Sequence, residues 1–429
     1  MSRKQTRRSF LLGSSALATG FFLPGLQGDR DKKPGEQKLR IGVVGVGGRG
    51  RANLQRVSGE HIVALSDVDA RRLAAARDRF KDARAYPDFR EMIAAGGLDA
   101  VVVSTPDHTH APAAALALRQ GLDVYCEKPL THTVREARTL AELAREKGAV
   151  TQMGTQIHSW DNYRRVVEIV RSGALGDVED VWVLCSKSWG GAKIPAKSGP
   201  EPAYLDWDLW LGPAEAIDYR DGLHPASWRK WWDFGSGTLG DMGCHYIDLA
   251  HWALELEHPV KVRAEGPEVD PEAAPAWLEV HWEHPAKGKR GPVRAHWHDG
   301  GKKPEALGEL GLEEWRNGVL FVGTNGWLIA DYTRYRIGPD RDFANYAPPP
   351  RSIPPSIGHH LEWIRACKRR TATTCHFAYS GALTETVLLG IVAYRSGETL
   401  EWDAKNLRVR NSERAQELVH KEYREGWSL

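Results

Sequence analysis

Five short, mostly apolar runs, at residues 39–44, 61–65, 100–104, 123–126 and 149–152, alternate with stretches of helical period at 49–58, 70–80, 89–95, 111–119 and 134–147. Such runs read as strands buried on both faces. Strands that alternate with helices form a parallel sheet, because each parallel neighbour needs a crossover connection. Residues 38–155 are therefore expected to form a doubly wound α/β domain.

The turn from the first strand to the first helix reads Gly45-Val46-Gly47-Gly48-Arg49-Gly50. Gly45 permits the tight turn, Gly47 lets the backbone approach a pyrophosphate, and Gly50 lets helix and strand pack closely. Gly48 and Arg49 open the helix, whose free N–H groups attract a phosphate. Spaced glycines alone are weak evidence. They gain force from Asp67, which closes the second strand 17 residues after Gly50, where a carboxylate accepts bonds from ribose hydroxyls and repels a 2′-phosphate. The expected cofactor is NAD, with NADP left open by Arg71 and Arg72, which follow closely enough to hold a phosphate.

In an open α/β sheet the carboxyl ends of the strands face the ligand crevice. Two of these ends carry Ser104-Thr105-Pro106-Asp107-His108-Thr109-His110 and Cys126-Glu127-Lys128-Pro129. Thr105, Pro106, His108, His110 and Glu127 are thus expected beside the cofactor, and Lys128, fixed by Pro129, is the first residue to consider for chemistry. Gln156 follows the last strand of the unit and joins this set. Farther on, Gly235-Ser236-Gly237 introduces a helix from about residue 238, on which Asp241 and His245 stand four apart and share a face. Such a pair can share a hydrogen bond that makes the imidazole a proton acceptor, although a helical histidine more often belongs to the packing.

These segments, with Gly240-Asp241-Met242-Gly243-Cys244-His245-Tyr246-Ile247-Asp248, resemble the glucose-fructose oxidoreductase, inositol dehydrogenase and MocA (Gfo/Idh/MocA) family from residue 38 to the C-terminus. Glu127-Lys128-Pro129 is the most specific of them. The resemblance implies an N-terminal Rossmann domain with a doubly wound parallel sheet, over 38–155. It also implies a C-terminal α/β domain, over 156–429, whose open, mostly antiparallel sheet covers the site and pairs subunits into a homo-oligomer. It further implies catalytic roles: His245 as acid and base, Asp241 as its orienting partner, and Lys128 as the cation on the reacting oxygen. His158 and Lys187, with Gln156, are expected to bond substrate hydroxyls, although many relatives carry an arginine near His158. The implied reaction oxidises a secondary hydroxyl of a sugar, inositol or glycoside, with NAD taking the hydride.

Composition favours a small neutral substrate, in keeping with the carbohydrate or cyclitol that the resemblance implies. The chain has 17 Trp against 9 Phe and 12 Tyr, and indoles stack well on sugar rings, although most tryptophans pack in cores. The first 35 residues hold seven basic and two acidic side chains, which leaves the rest at a net charge of −3. That body lacks the basic excess of a nucleic-acid-binding protein. The five cysteines are scattered without zinc spacing, and His281-Trp282-Glu283-His284 and His296-Trp297-His298 offer no identifiable third ligand, so no metal site is expected.

Residues 1–28 resemble a twin-arginine signal, with Thr6-Arg7-Arg8-Ser9-Phe10-Leu11 before an apolar run too short to cross a bilayer, and 29–37 read as a linker. With the closing Glu422-Tyr423-Arg424-Glu425-Gly426-Trp427, this looks like a secreted, periplasmic branch of the family. No later stretch is expected to reach membrane-spanning length, and 378–394 reads as a core helix. Free nicotinamide cofactor is scarce outside the cytoplasm, so the expectation is a tightly held NAD, reduced and reoxidised within one cycle. Either a second sugar reoxidises it, or a transient oxidation permits elimination and redox-neutral glycoside cleavage. A sugar-binding protein without catalysis is the remaining alternative, and the presence of Lys128, Asp241 and His245 speaks against it.

Overall fold

The computed structural model describes residues 37–429. The leader expected at 1–28, and all but the last residue of the linker, lie outside the described residues. Six parallel strands, β1 (Arg40–Val44), β2 (His61–Ser66), β3 (Arg84–Tyr86), β4 (Ala100–Val103), β5 (Asp123–Cys126) and β6 (Thr151–Met153), lie in the order β3-β2-β1-β4-β5-β6. The crossovers are α1 (Gly48–Val57), α2 (Ala70–Arg79), α3 (Phe89–Ala94), α4 (Asp107–Arg119) and α5 (Val134–Lys147). Local sequence closes α5 at both ends. Thr133 and Glu136 exchange side-chain bonds with each other's backbone N–H, and Gly148 ends the helix in the left-handed region. Strand order reverses between β1 and β4, which opens a crevice at their carboxyl ends.

The second unit begins with α6 (Asp161–Arg171), β7 (Val178–Leu184), α7 (Trp207–Leu211) and α8 (Gly237–Leu254). It continues through β8 (Lys261–Glu265), β9 (Glu279–His284), β10 (Val293–His298), β11 (Gly318–Gly323), β12 (Gly326–Ala330), β13 (Tyr335–Gly338), β14 (Leu400–Asp403) and β15 (Arg408–Val409). Nine strands pair in the order β13-β12-β11-β7-β10-β9-β8-β14-β15, and all neighbours are antiparallel except β7 and β10. The mostly antiparallel sheet is thus the one expected.

Alternation along these strands divides the faces. Val181, Val183, Val280, Trp282, Ala295, Trp297, Val319 and Phe321 turn inward. On the other face Leu184, Leu320, Trp327 and Ile329 lie beneath Leu307, Leu312 and Trp315. Ile41, Val43, Leu65, Val102 and Trp363 belong to a separate cluster, while the inward residues share one apolar cluster with Val101, Val103, Ala113, Leu118 and Leu140 of the first unit, so one core is continuous between the sheets. Running through it is the helix Phe377–Ser396, which packs on α5 and β8. This helix corrects one expectation. It is long and apolar enough to cross a membrane, yet 83% of that apolar stretch is buried inside the protein.

The Trp-rich segment makes its own cluster from Leu205, Trp207, Trp210, Trp228, Trp231 and Phe234. Most tryptophans are core, and Trp160, 43% exposed, is the exception among the large exposed side chains. The proline-rich loop is pinned to α6, where Glu168 accepts from the Ser352 and Ile353 amides and Arg164 donates to the Pro354 carbonyl.

Candidate active site

The glycine turn is shaped as its spacing implies. Gly45 has φ +79°, and a Cβ there would lie 2.6 Å from the Ser104 carbonyl oxygen. A Cβ on Gly50 would stand 1.8 Å from the Gly45 oxygen, so α1 reaches the strand only because that position is glycine. Gly48 faces open space, and the first turn of α1 has neither a side-chain cap nor an acidic residue. Its N–H groups are therefore available to a phosphate, with the exposed Arg49 beside them. Asp67 accepts from the Val46 and Asp69 amides at 2.8 and 2.9 Å, which fixes its carboxylate at the rim where a ribose would lie. Of the two arginines expected near a phosphate, Arg72 lies across Gly47, whereas Arg71 is drawn to Asp69 and to the Tyr204 ring. This cradle fits a dinucleotide.

Beyond it the two units meet at Lys128. Its Nζ donates to the Asp241 carboxylate at 2.6 Å and to the Asp241 carbonyl at 2.5 Å. Arg229 donates its Nε to the same carboxylate oxygen at 3.0 Å. These two cations hold the Asp241 carboxyl well below the usual carboxylate range, against the effect of burial. Arg229 reaches the site because its loop folds back tightly: a Cβ on Gly235 would lie 2.6 Å from the Arg229 Cα. The guanidinium also rests on the Trp228 ring at 4.2 Å.

The expected bond from Asp241 to His245 is not made. Both residues face the site, but a buried carboxylate gives its oxygen to full cations before a neutral imidazole. Thr155 orients His245 instead, with Oγ1 3.3 Å from Nδ1. Thr155 spends its one proton on the Cys244 carbonyl at 3.1 Å. Nδ1 must therefore carry the hydrogen, and Nε2 is left with a free lone pair. Burial and the Lys128 charge push His245 down to about 3, so it is neutral at pH 7. Asp107, 3% exposed at the start of α4, is pushed up to about 7 by burial despite the nearby Arg229 and Lys128 charges.

Among the other expected residues, His108, His110 and His158 belong to the framework. Helix α4 starts at Asp107, earlier than its apolar period implies, and turns the histidines away from the crevice. His108 is fully buried, with its ring nitrogens 3.3 and 2.9 Å from the Phe234 and Trp210 carbonyls. His110 likewise has its ring nitrogens 2.8 and 2.9 Å from the Pro129 and Thr105 carbonyls, one of which accepts its single N–H. Thr105 and Pro106 form the turn itself, and Pro106 caps α4. Glu127 accepts from Asn53 and from Gln156, both at 2.8 Å, while Gln156 also donates to the Tyr125 hydroxyl. His158 is the clearest correction. It is fully buried, stacks on Trp252 and bonds Asp248 at 2.9 Å, so it cannot touch a substrate hydroxyl. Lys187 is exposed and points its Nζ at the Met242 sulfur, 3.6 Å away, beside Asp241. Arg229 and Thr155 were not among the expected residues, and neither belongs to a spaced motif.

Curated relatives match about a third of the chain. The inositol 2-dehydrogenase of Corynebacterium glutamicum (strain R) is 34% identical over 147 residues, which are 33% of this chain and 44% of that protein. The Leifsonia xyli enzyme of the same name is 37% identical over 145 residues, 33% of this chain and 42% of its own. The chain thus spans less than half the length of these relatives. The fold extends farther. The WlbA dehydrogenase of Bordetella pertussis, solved with NADH and UDP-GlcNAcA, superposes with TM-score 0.60 at 17% identity over 86% of this chain and 98% of that one. Aldose-aldose oxidoreductase of Caulobacter crescentus, solved with glycerol, gives 0.56 at 19% identity over 85% of this chain and 100% of its own. Two models of one family, described as an oxidoreductase family's NAD-binding Rossmann fold and its C-terminal alpha/beta domain, match residues 39–155 and 165–289, together more than half of the chain. The protein, an NAD-binding chain built on these two domains, belongs to the Gfo/Idh/MocA oxidoreductase family.

Proposed function

We propose that the protein oxidises a secondary hydroxyl of a sugar, inositol or glycoside with NAD, and that it keeps the dinucleotide through the whole cycle after twin-arginine export to the periplasm. The observation that carries the reaction is the Lys128–Asp241 bond of 2.6 Å beside a His245 whose Nε2 is free, next to the nucleotide turn. Similarity to inositol 2-dehydrogenases over 33% of the chain supports the substrate class, and the fold shared with an aldose-aldose oxidoreductase supports a cycle closed by a second sugar.

When bound, NAD takes the hydride from the carbon. The chain's own residues handle the proton and the charge. His245 Nε2 accepts the hydroxyl proton, and Thr155 keeps the ring in the required tautomer. Two of the three Lys128 donor positions are spent on Asp241, and the third is free to bond the reacting oxygen and stabilise its developing negative charge. Asp241 therefore positions Lys128 rather than His245. Burial and then the Lys128 charge oppose imidazolium formation, and the oxygen that turns negative as its proton leaves offsets the second of these.

The test is to purify the exported protein without added cofactor, denature it, and assay the supernatant for NAD and NADP in both redox states. Near-stoichiometric NAD, reduced or reoxidised by members of a sugar and glycoside panel before denaturation, is the expected result. An empty protein that binds NAD weakly would reject the retained cofactor. A glycoside cleaved with no net change in the nicotinamide would replace net oxidation by the elimination route.

A further inference from the structure

The charge on the substrate side of the crevice is out of balance. Lys128 and Arg229 share one oxygen of Asp241, so two cations face one carboxylate. Lys187 adds a third, for which Met242 sulfur at 3.6 Å is a weak acceptor, and its charge reaches His245 and helps to keep that ring neutral. Arg229 and Lys187 thus meet α8 at consecutive residues, Asp241 and Met242.

Among the described residues, Asp241 is the only acid paired with Arg229, and Lys187 has no acidic partner. Glu127 keeps its charge, but its oxygens are turned to Asn53 and Gln156. Asp107 is buried and, with a carboxyl pushed up to about 7, carries at most part of a charge at neutral pH. Arg229 is also placed for an anion. Its Nε is spent on Asp241 and its Nη1 lies 3.3 Å from the Ala226 carbonyl, which leaves Nη2 without a bond among the described residues, on a guanidinium held by the Trp228 ring and 31% exposed. A neutral sugar presents hydroxyls that both donate and accept, and it is best met by mixed partners. Arg229 and Lys187 offer donors alone, which match an anion.

We propose that the substrate is a sugar acid, whose carboxylate is gripped by Arg229 and Lys187 while a neighbouring hydroxyl lies at Lys128 and His245. The identity of the reacting group rests on the oxidoreductase reading above, whereas binding of the acid does not.

The experiment is isothermal titration of the NAD-loaded protein with D-glucuronate, D-galacturonate and D-gluconate, each against its neutral parent, in low and high salt. At least one acid should bind about tenfold more tightly than its parent, and salt should erode the difference. Arg229→Gln and Lys187→Gln should each weaken the acid by about tenfold or more and the neutral parent by much less, with Arg229→Lys recovering part of the loss. Thermal melting and NAD affinity of the variants verify that they fold. Acids that bind no better than their parents, or variants that weaken both alike, would overturn the anion site. Nicotinamide absorbance in the same cells separates the two readings. An acid bound through Arg229 but never oxidised sinks the oxidoreductase reading alone, and a neutral sugar oxidised in preference to its acid sinks the anion site alone.

Discussion

Replacing Asp241 by Asn removes one charge and almost no volume from the point where both units meet. The carboxylate lies 2.6 Å from Lys128 Nζ and 3.0 Å from Arg229 Nε, and the three side chains are 13%, 12% and 31% exposed. At an effective dielectric of about 20, each contact is worth about 6 kcal/mol of gross attraction, most of which is offset by the desolvation of the ions. Deleting one member of such a buried group leaves the cations uncompensated, which costs about 3–5 kcal/mol. Chemical denaturation at pH 7 and low salt should show that loss, and sugar turnover should fall with it as Lys128 loses its anchor. The pH dependence adds a signature. Because the folded Asp241 value lies below its ordinary 3.8, the charge stabilises the protein fully above that value and is lost as pH falls through the folded one. The gap between wild type and Asp241→Asn should therefore be flat above about pH 5 and narrow below about pH 4. A stability change under about 1 kcal/mol at pH 7, or a gap that widens in acid, would refute the reasoning.

Three further outcomes are expected. Gly50→Ala forces a Cβ against the Gly45 carbonyl at 1.8 Å and should abolish NAD binding; calorimetry showing wild-type affinity would contradict the packing. His245→Ala should lower turnover by about two to four orders of magnitude while NAD still binds, and unchanged steady-state rates would remove His245 from the chemistry. Acid should destabilise the fold above the ordinary carboxylate range. Burial lowers His108, His110 and His245 to about 3, 4 and 3, so between those values and 6.5 the unfolded chain binds more protons and stability falls as pH falls. Asp107 and Asp299, both raised to about 7, work in the opposite sense, but His132, His251, His284 and His359 join the lowered histidines. Melting temperature should drop from pH 7 to pH 5, and a level or rising profile would show that these rings are not held neutral.

The first unit was legible because its determinants are local. Apolar runs, caps and the glycine turn each act over a few residues, and Asp67 follows at a fixed distance. β3 escaped because Arg84-Ala85-Tyr86 is a three-residue edge strand with no apolar run to mark it. In the second unit the helices show, but the sheet order does not: β7 lies between β10 and β11, pairings that only the folded chain brings together. At the site, spacing correctly put Asp241 and His245 on one helix face and could not say which donors would compete for the carboxylate. Arg229 was hidden for the same reason, since it arrives on a loop whose path depends on Gly235 and a cluster of tryptophans. His158 shows the reverse error: its neighbourhood in sequence implied the cleft, while Asp248 and Trp252 claim it for the interior.

The apolar cluster that is continuous between the sheets bears on how such proteins can be recombined. A Rossmann domain is often treated as a cassette, to be cut after its last strand and joined to a new partner. Here the helix Phe377–Ser396 lies against α5, and Trp427, two residues from the chain end, returns to pack on Phe89 of α3, with Arg90 over its ring. A cut near residue 155 would strip the nucleotide domain of packing supplied by the last part of the chain. Working chimeras are expected to carry residues from about 359 onward together with the N-terminal half, so that only the middle of the chain, with α8, the Trp-rich loop and most of the second sheet, is exchanged as a block.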